Sequence, residues 1–214
     1  MTDELLEKLR SSLLELDKEA TLEAVRALLQ EGSDHAEAGV GAVTDALERV
    51  GRLFQEGDWF LGELVYSGEI AKEAMELLSP HLSTAADPKL GTVVVGTVCG
   101  DMHDLGKNIF ITYAQSAGFQ IVDLGTDVTV EGFAEAALQH RPLALGMSCL
   151  LTVSAGAVGR VIEELDQRGL RESVKIIVGG AALTEEFARE VGADAFAPDA
   201  VTGTGIIRAW SQGG

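Results

Sequence analysis

Leu5, Leu9 and Leu13 recur every fourth residue, so one apolar stripe runs along a helix whose other faces are polar. The spacing returns in Leu22, Val25, Leu28 and Leu29, stopped at Gly32, and in Val40, Val43, Leu47, Val50 and Phe54, stopped near Gly57. Phe60, Leu64, Ala71, Met75 and Leu78 make a fourth stripe, ended by Pro80. Four stripes on short connections predict an all-α four-helix bundle over residues 1–80. The segment PHLSTAADPKL, from Pro80, holds two of the chain's four prolines and predicts a linker over 81–90. Beyond it the period changes. β-Branched and apolar runs at 92–98, 119–125, 142–148, 174–180 and 193–197 alternate with helical patterns at 108–117, 129–140, 153–168, 184–191 and 200–210. This alternation predicts an α/β fold over 91–214: a flavodoxin-like (Rossmann-like) five-stranded parallel sheet, order 2-1-3-4-5, with its switch point between strands 1 and 3.

Composition narrows the class. A chain of 214 residues with 46% hydrophobic and 23% charged residues is globular. The net charge of −18 disfavours nucleic acid, whose phosphates would be repelled. Residues 1–88 carry 7 basic and 19 acidic residues and the remainder 9 and 15, so neither half offers a basic stripe. The longest nearly apolar run, Pro142 to Val153, is too short to span a bilayer, and MTDELLEKLR is too charged for a signal peptide. A cytoplasmic protein is expected, with Cys99 and Cys149 as reduced core thiols. Glycine is the excess residue, 25 of 214, about 12% against a usual ~7%. Many glycines fall at strand ends and the loops after them, the edge where such sheets bind ligands.

The first of those loops reads Gly100-Asp101-Met102-His103-Asp104-Leu105-Gly106-Lys107-Asn108. An aspartate two residues before a histidine can accept its Nδ1–H, fix the tautomer and leave Nε2 as a ligand or base. A surface turn with an incidental histidine fits the bare D-x-H-D as well. A flavin phosphate would be repelled by the two aspartates. A phosphorylated receiver would need an aspartate where Ser148 stands. His35, His81 and His140 lie in the bundle, the linker and a helix end, and read as solvated residues.

D-x-H-D-x-G-K-N after a first strand resembles the signature of the cobalamin-binding domain of cobalamin-dependent methionine synthase and related corrinoid proteins. Ser148-Cys149-Leu150-Leu151-Thr152-Val153-Ser154 resembles the family's S-x-L-x-T-x-S segment, and Gly179-Gly180 its Gly-Gly after strand 4. GDWFLGELVYSGEIAKEAMELLSP (57–80) is similar to the helical cap of methyltransferase corrinoid proteins, so the resemblance covers nearly the whole chain. It implies a cap domain at 1–80 and a cobalamin-binding domain at 91–214 that holds cobalamin (methylcobalamin or a related corrinoid) base-off and His-on. His103 would be the ligand to cobalt, Asp101 would bond His103, and Ser154 would bond Asp101. Gly100, Met102, Asp104 and Gly106 belong to the same cofactor loop. Ser148, Leu150 and Thr152 would line the channel for the cofactor's nucleotide tail, and the Gly179-Gly180 backbone would pass beside it. Trp59, Phe60, Leu64, Tyr66 and Met75 would supply core or corrin-covering surface on the cap.

The function implied is a methyl carrier, not a complete enzyme alone. It would shuttle a methyl group on cobalt between a substrate-specific methyltransferase and a second one that is folate- or thiol-linked, with a reductive activase as a further partner. A cobalamin-based light or ligand sensor is the alternative, disfavoured because residues 1–80 carry no basic recognition helix. The small subunit of an adenosylcobalamin mutase is a third, disfavoured because such subunits lack the cap. Which methyl donor is served does not follow from the residues.

Overall fold

The structure, a computed structural model, describes residues 2–32, 35–81 and 90–213, and most of the expected linker lies outside them. The described chain falls into two compact units.

The first holds α1 (Thr2–Leu14), α2 (Lys18–Glu31), α3 (Ala36–Glu56) and α4 (Leu61–Leu78). The apolar stripes meet inside it, where Leu9, Leu13, Val25, Leu28, Val43, Val50, Ile70 and Leu78 are all buried. Burying such a side chain fully contributes roughly 1.5–3 kcal/mol. Gly39 lets three helices approach closely, since a Cβ there would stand 2.8 Å from Leu78 Cδ2 and 3.0 Å from Leu28 Cδ2. Asp17 caps α2 by accepting from the Ala20 N–H at 3.0 Å. Gly57 ends α3 in the left-handed conformation (φ 83°), its N–H donating back to the Leu53 and Phe54 carbonyls. One expected core position fails. Phe60 precedes α4 and is 73% exposed, because the chain after Gly57 turns before the helix resumes at Leu61.

The second unit is a parallel sheet of β1 (Thr92–Thr97), β2 (Gln120–Asp123), β3 (Ala144–Ser148), β4 (Lys175–Gly179) and β5 (Ala195–Ala197), in the order β2-β1-β3-β4-β5. The connecting helices are α5 (Leu105–Ser116), α6 (Val130–His140), α7 (Gly156–Gln167) and α8 (Glu185–Glu190), and α9 (Ala200–Ser211) follows β5. Val94, Leu145, Met147, Ile176 and Val178 pack with Phe133 of α6 and Val158, Val161 and Leu165 of α7. Val93, Val95 and Ile177, which alternate with them, are buried too, so β1 and β4 are covered on both faces. Two helix starts move by three residues from the sequence expectation, one in the loop after β1 and one in the loop after β3. α5 starts at Leu105 rather than Asn108, because the Asp104 carbonyl already accepts the Asn108 N–H. α7 starts at Gly156, after a 3₁₀ turn at Thr152–Ser154 set by the Ser154 N–H bonding the Leu151 carbonyl.

Candidate functional site

Strand β1 reaches the switch point between two neighbours and bonds to both. The Thr97 N–H donates to the Gly125 carbonyl after β2, and the Val98 N–H to the Ser148 carbonyl at the end of β3. The chain then turns at Gly100, whose φ of 84° suits glycine. A Cβ on Gly100 would also stand 2.9 Å from Ser154 Oγ. Asp127, itself at φ 53°, holds this turn from the side. Its carboxylate accepts the Gly100 N–H at 2.7 Å, and its own N–H donates to the Asp101 carbonyl.

Asp101 is fully buried and takes four N–H donors. Oδ1 accepts the His103 backbone N–H at 3.0 Å and its ring Nδ1 at 2.7 Å. Oδ2 accepts the backbone N–H groups of Leu150 (2.6 Å) and Leu151 (3.1 Å). Burial by itself would raise this carboxyl. The N–H groups of His103, Leu150 and Leu151 and the His103 ring outweigh it and hold the carboxyl down to about 2. An ionised carboxylate can only accept, so Nδ1 is the donor, and the neutral ring has its lone pair on Nε2. The His103 side chain is 54% exposed, and the Thr97 hydroxyl fixes the loop by donating to the His103 carbonyl at 2.9 Å. The result is an oriented imidazole with one basic nitrogen free to meet a ligand. It stands among exposed apolar side chains, Met102, Leu105, Leu150, Leu151 and Val153, which is a surface suited to a large flat apolar group.

A pocket of about 140 Å³ opens beside the same sheet edge. Ser148, Gly179 and Gly180 line it where β3 and β4 end, and Gly106 and Lys107 where α5 begins. A Cβ on Gly106 would meet nothing within 4 Å, so the fold leaves open space there. Gly179 and Gly180 have a structural reason as well. A Cβ on Gly179 would stand 2.8 Å from the Ala197 carbonyl oxygen, and one on Gly180, at φ 115°, would drive into the Cys149 carbonyl. Lys107 is buried, its ammonium 2.7 Å from both carboxylate oxygens of Asp123 and 2.9 Å from Asn108 Oδ1. Asp104 closes the start of α5 by accepting from Asn108 Nδ2 at 3.0 Å.

Three expectations change. The Ser154 hydroxyl does not bond Asp101, whose Oδ2 is taken by the Leu150 and Leu151 backbone; Ser154 is buried with Oγ against Gly100 instead. Leu150 and Thr152 do not line the pocket but lie exposed on the loop beyond it, where the Leu150 N–H turns in to Asp101. Cys99 is exposed; Cys149 is the core thiol, its pKa pushed up by burial and then by the Asp101 charge. The sequence reading missed Asp127 and the Lys107–Asp123 pair, whose partners lie 27 and 16 residues away along the chain. It also missed the exposed Leu105, Leu151 and Val153, although apolar residues in a loop that should be polar were a usable signal.

Among the described residues no three of His, Cys, Asp and Glu gather as a metal cluster. A single imidazole suits a metal that arrives with its other ligands already supplied. The B12 binding domain family matches residues 91–205, and a second B12 binding domain family matches residues 5–79. The chain belongs to the B12-binding corrinoid proteins. It is 37% identical over 201 residues to dimethylamine corrinoid protein 2 of Methanosarcina mazei, covering 92% of each chain. It superposes on a cobalamin-binding protein from Desulfitobacterium hafniense DCB-2 with a TM-score of 0.83 at 34% identity, covering 96% of this chain and 98% of that one. It superposes on the methanol:cobalamin methyltransferase complex MtaBC from Methanosarcina barkeri with a TM-score of 0.84 at 27% identity, covering 99% of this chain and 81% of that one. This corrinoid protein therefore takes cobalamin or a related corrinoid as its cofactor and is of the methyltransferase type. No helix among the described residues is long and apolar enough to cross a membrane.

Proposed function

We propose that the protein carries a methyl group between two methyltransferases, one specific for the methyl donor and one linked to a folate or thiol acceptor, and that a reductive activase serves it. The bound corrinoid supplies a cobalt able to accept and give up a methyl group. His103 holds that cobalt from below through Nε2, in the base-off, His-on arrangement. Asp101 keeps the Nδ1 proton in place, fixes the ring and makes Nε2 a better donor. Ser148, Gly106 and the Gly179-Gly180 backbone receive the displaced nucleotide tail. Residues 1–80 serve as the helical cap domain, 81–90 as the linker and 91–214 as the cobalamin-binding domain.

The observation that carries this reading is the exposed imidazole held at 2.7 Å by a buried carboxylate, set among apolar side chains beside a pocket. The methyl donor stays open, because the similar proteins carry different donors in their names, dimethylamine and methanol. The test is turnover. Loaded with corrinoid and chemically reduced to Co(I) in the dark, the protein should be methylated from methanol or a methylamine in the presence of the matching methyltransferase, as read by its visible absorbance. Light-driven disassembly of the adenosyl form, with no methylation from any donor, would replace the carrier by a sensor.

A further inference from the structure

The segment from Asp123 to Asp127, between β2 and α6, grips the cofactor loop at both of its ends. At the far end Asp123 holds the buried Lys107 ammonium at 2.7 Å, and its Oδ1 also accepts the Gly125 N–H at 2.9 Å. At the near end Asp127 Oδ1 accepts the Gly100 N–H at 2.7 Å, and the Asp127 N–H donates to the Asp101 carbonyl at 3.0 Å. The Thr126 hydroxyl donates to Met102 Sδ at 3.8 Å. Gly100, Asp101 and Met102 are thus each held by this segment, and His103 is the next residue. The segment is itself moored to β1: the Thr97 N–H donates to the Gly125 carbonyl and the Val128 N–H to the Thr97 carbonyl, both at 3.0 Å. Asp127 takes the left-handed conformation at φ 53°, which costs every residue but glycine and which Asn and Asp bear best. Its bonds to Gly100 and Asp101 do not serve the helix that follows, because Thr129 caps α6 by accepting the Gly132 N–H. The use of a strained residue here lies in where it puts the entrance of the cofactor loop.

We infer that Asp127 is a positioning residue for the cobalt ligand: its carboxylate fixes the turn at Gly100 and, through the Asp101 backbone, sets where the His103 imidazole stands. The inference rests on the reading that His103 holds the cobalt. The ring follows Asp101 through the 2.7 Å bond from Nδ1, and Asp101 is placed from two sides. The Leu150 and Leu151 N–H groups hold its carboxylate, and Asp127 holds its carbonyl and the residue before it. Gly100 has no side chain to restrict it, so without the Asp127 acceptor the turn samples other conformations. Ordering it again then falls to the bond between Nε2 and cobalt, and ligation weakens. The loss of one such hydrogen bond corresponds to about fivefold.

The test compares Asp127→Asn, Asp127→Gly and Asp127→Ala in the full-length protein loaded with tail-less cobinamide, which brings no base of its own. Asn keeps an acceptor oxygen and tolerates the positive φ, Gly keeps the φ alone, and Ala keeps neither. All three remove the charge, so Asn is the reference for the other two. An axial imidazole stabilises Co(II) over four-coordinate Co(I), so weaker ligation raises the Co(II)/Co(I) midpoint, read by spectroelectrochemistry at one fixed pH. Gly and Ala should lie about 40 mV above Asn, the fivefold loss converted at about 59 mV per tenfold. Asp17→Ala, which strips the cap from α2, should lower stability in urea and leave the midpoint at the wild-type value. One midpoint shared by the three Asp127 variants, with His103→Ala still raised, would overturn the inference and leave the ligand reading standing. Gly matching Asn, with Ala alone raised, would assign the effect to φ and overturn the role given to the carboxylate. A midpoint as high in Asp17→Ala as in Asp127→Gly would make the effect a general loosening and overturn it equally. A midpoint unmoved in His103→Ala would remove the underlying reading and the inference with it.

Discussion

Asp101 orients the imidazole and also ties the loop after β1 to the loop after β3, because its two oxygens serve different segments. An amide cannot do both, since in Asp101→Asn the NH₂ must face one of the two N–H pairs. That variant should lose about 1–3 kcal/mol of apoprotein stability in urea unfolding, the cost of buried donors left unmet. The carboxyl lies at about 2 against an ordinary 3.8, so its contribution is fully present above about pH 4 and is lost as pH falls toward 2. The shift corresponds to about 2 kcal/mol. Wild type should therefore lose stability across that acid window relative to Asp101→Asn, and parallel stability curves for the two proteins would contradict the assignment. The glycines divide in a similar way. Gly180→Ala should destabilise the apoprotein by about 2 kcal/mol or more, from the backbone clash and the positive φ together. Gly106→Ala meets open space in the first turn of α5 and should leave stability level or slightly higher while weakening corrinoid binding. Equal thermal shifts from the two substitutions would refute that division.

Among the elements, α5 is pinned to the end of β2 by a lopsided ion pair: the Lys107 side chain is 2% exposed and that of Asp123 41%. Removing the exposed partner leaves a buried cation, and removing the buried one leaves an anion that water can reach. Asp123→Ala should therefore cost about 3 kcal/mol and Lys107→Met under about 1 kcal/mol, measured by chemical denaturation. The reverse order would show that the pair does not hold the helix. Much of this level was legible beforehand. Strand runs such as TVVVGTV are apolar because both sheet faces are covered, and alternation with helices fixed the parallel order. D-x-H announced the Nδ1 contact because both partners share one loop. Contacts between segments left no mark in a single sequence: Asp101 to Leu150 spans 49 residues and Asp127 to Gly100 spans 27. The periodicity that placed Phe60 in the bundle core could not register that the chain reverses at Gly57 before α4 begins.

At the scale of the whole molecule, a net charge of −18 makes long-range electrostatics part of any association. Binding to a methyltransferase through a basic face should slow as salt rises and the screening length shrinks to about 8 Å near physiological ionic strength. An association rate indifferent to salt would point to an uncharged docking surface. The account itself turns on whether one imidazole nitrogen of this chain holds the cobalt. Electron paramagnetic resonance of the protein loaded with Co(II) cobinamide addresses that most directly, because the tail-less corrinoid carries no base of its own to supply a nitrogen. The account predicts hyperfine splitting from a single axial nitrogen in the wild-type protein and its disappearance in His103→Ala; splitting that survives the substitution would contradict it.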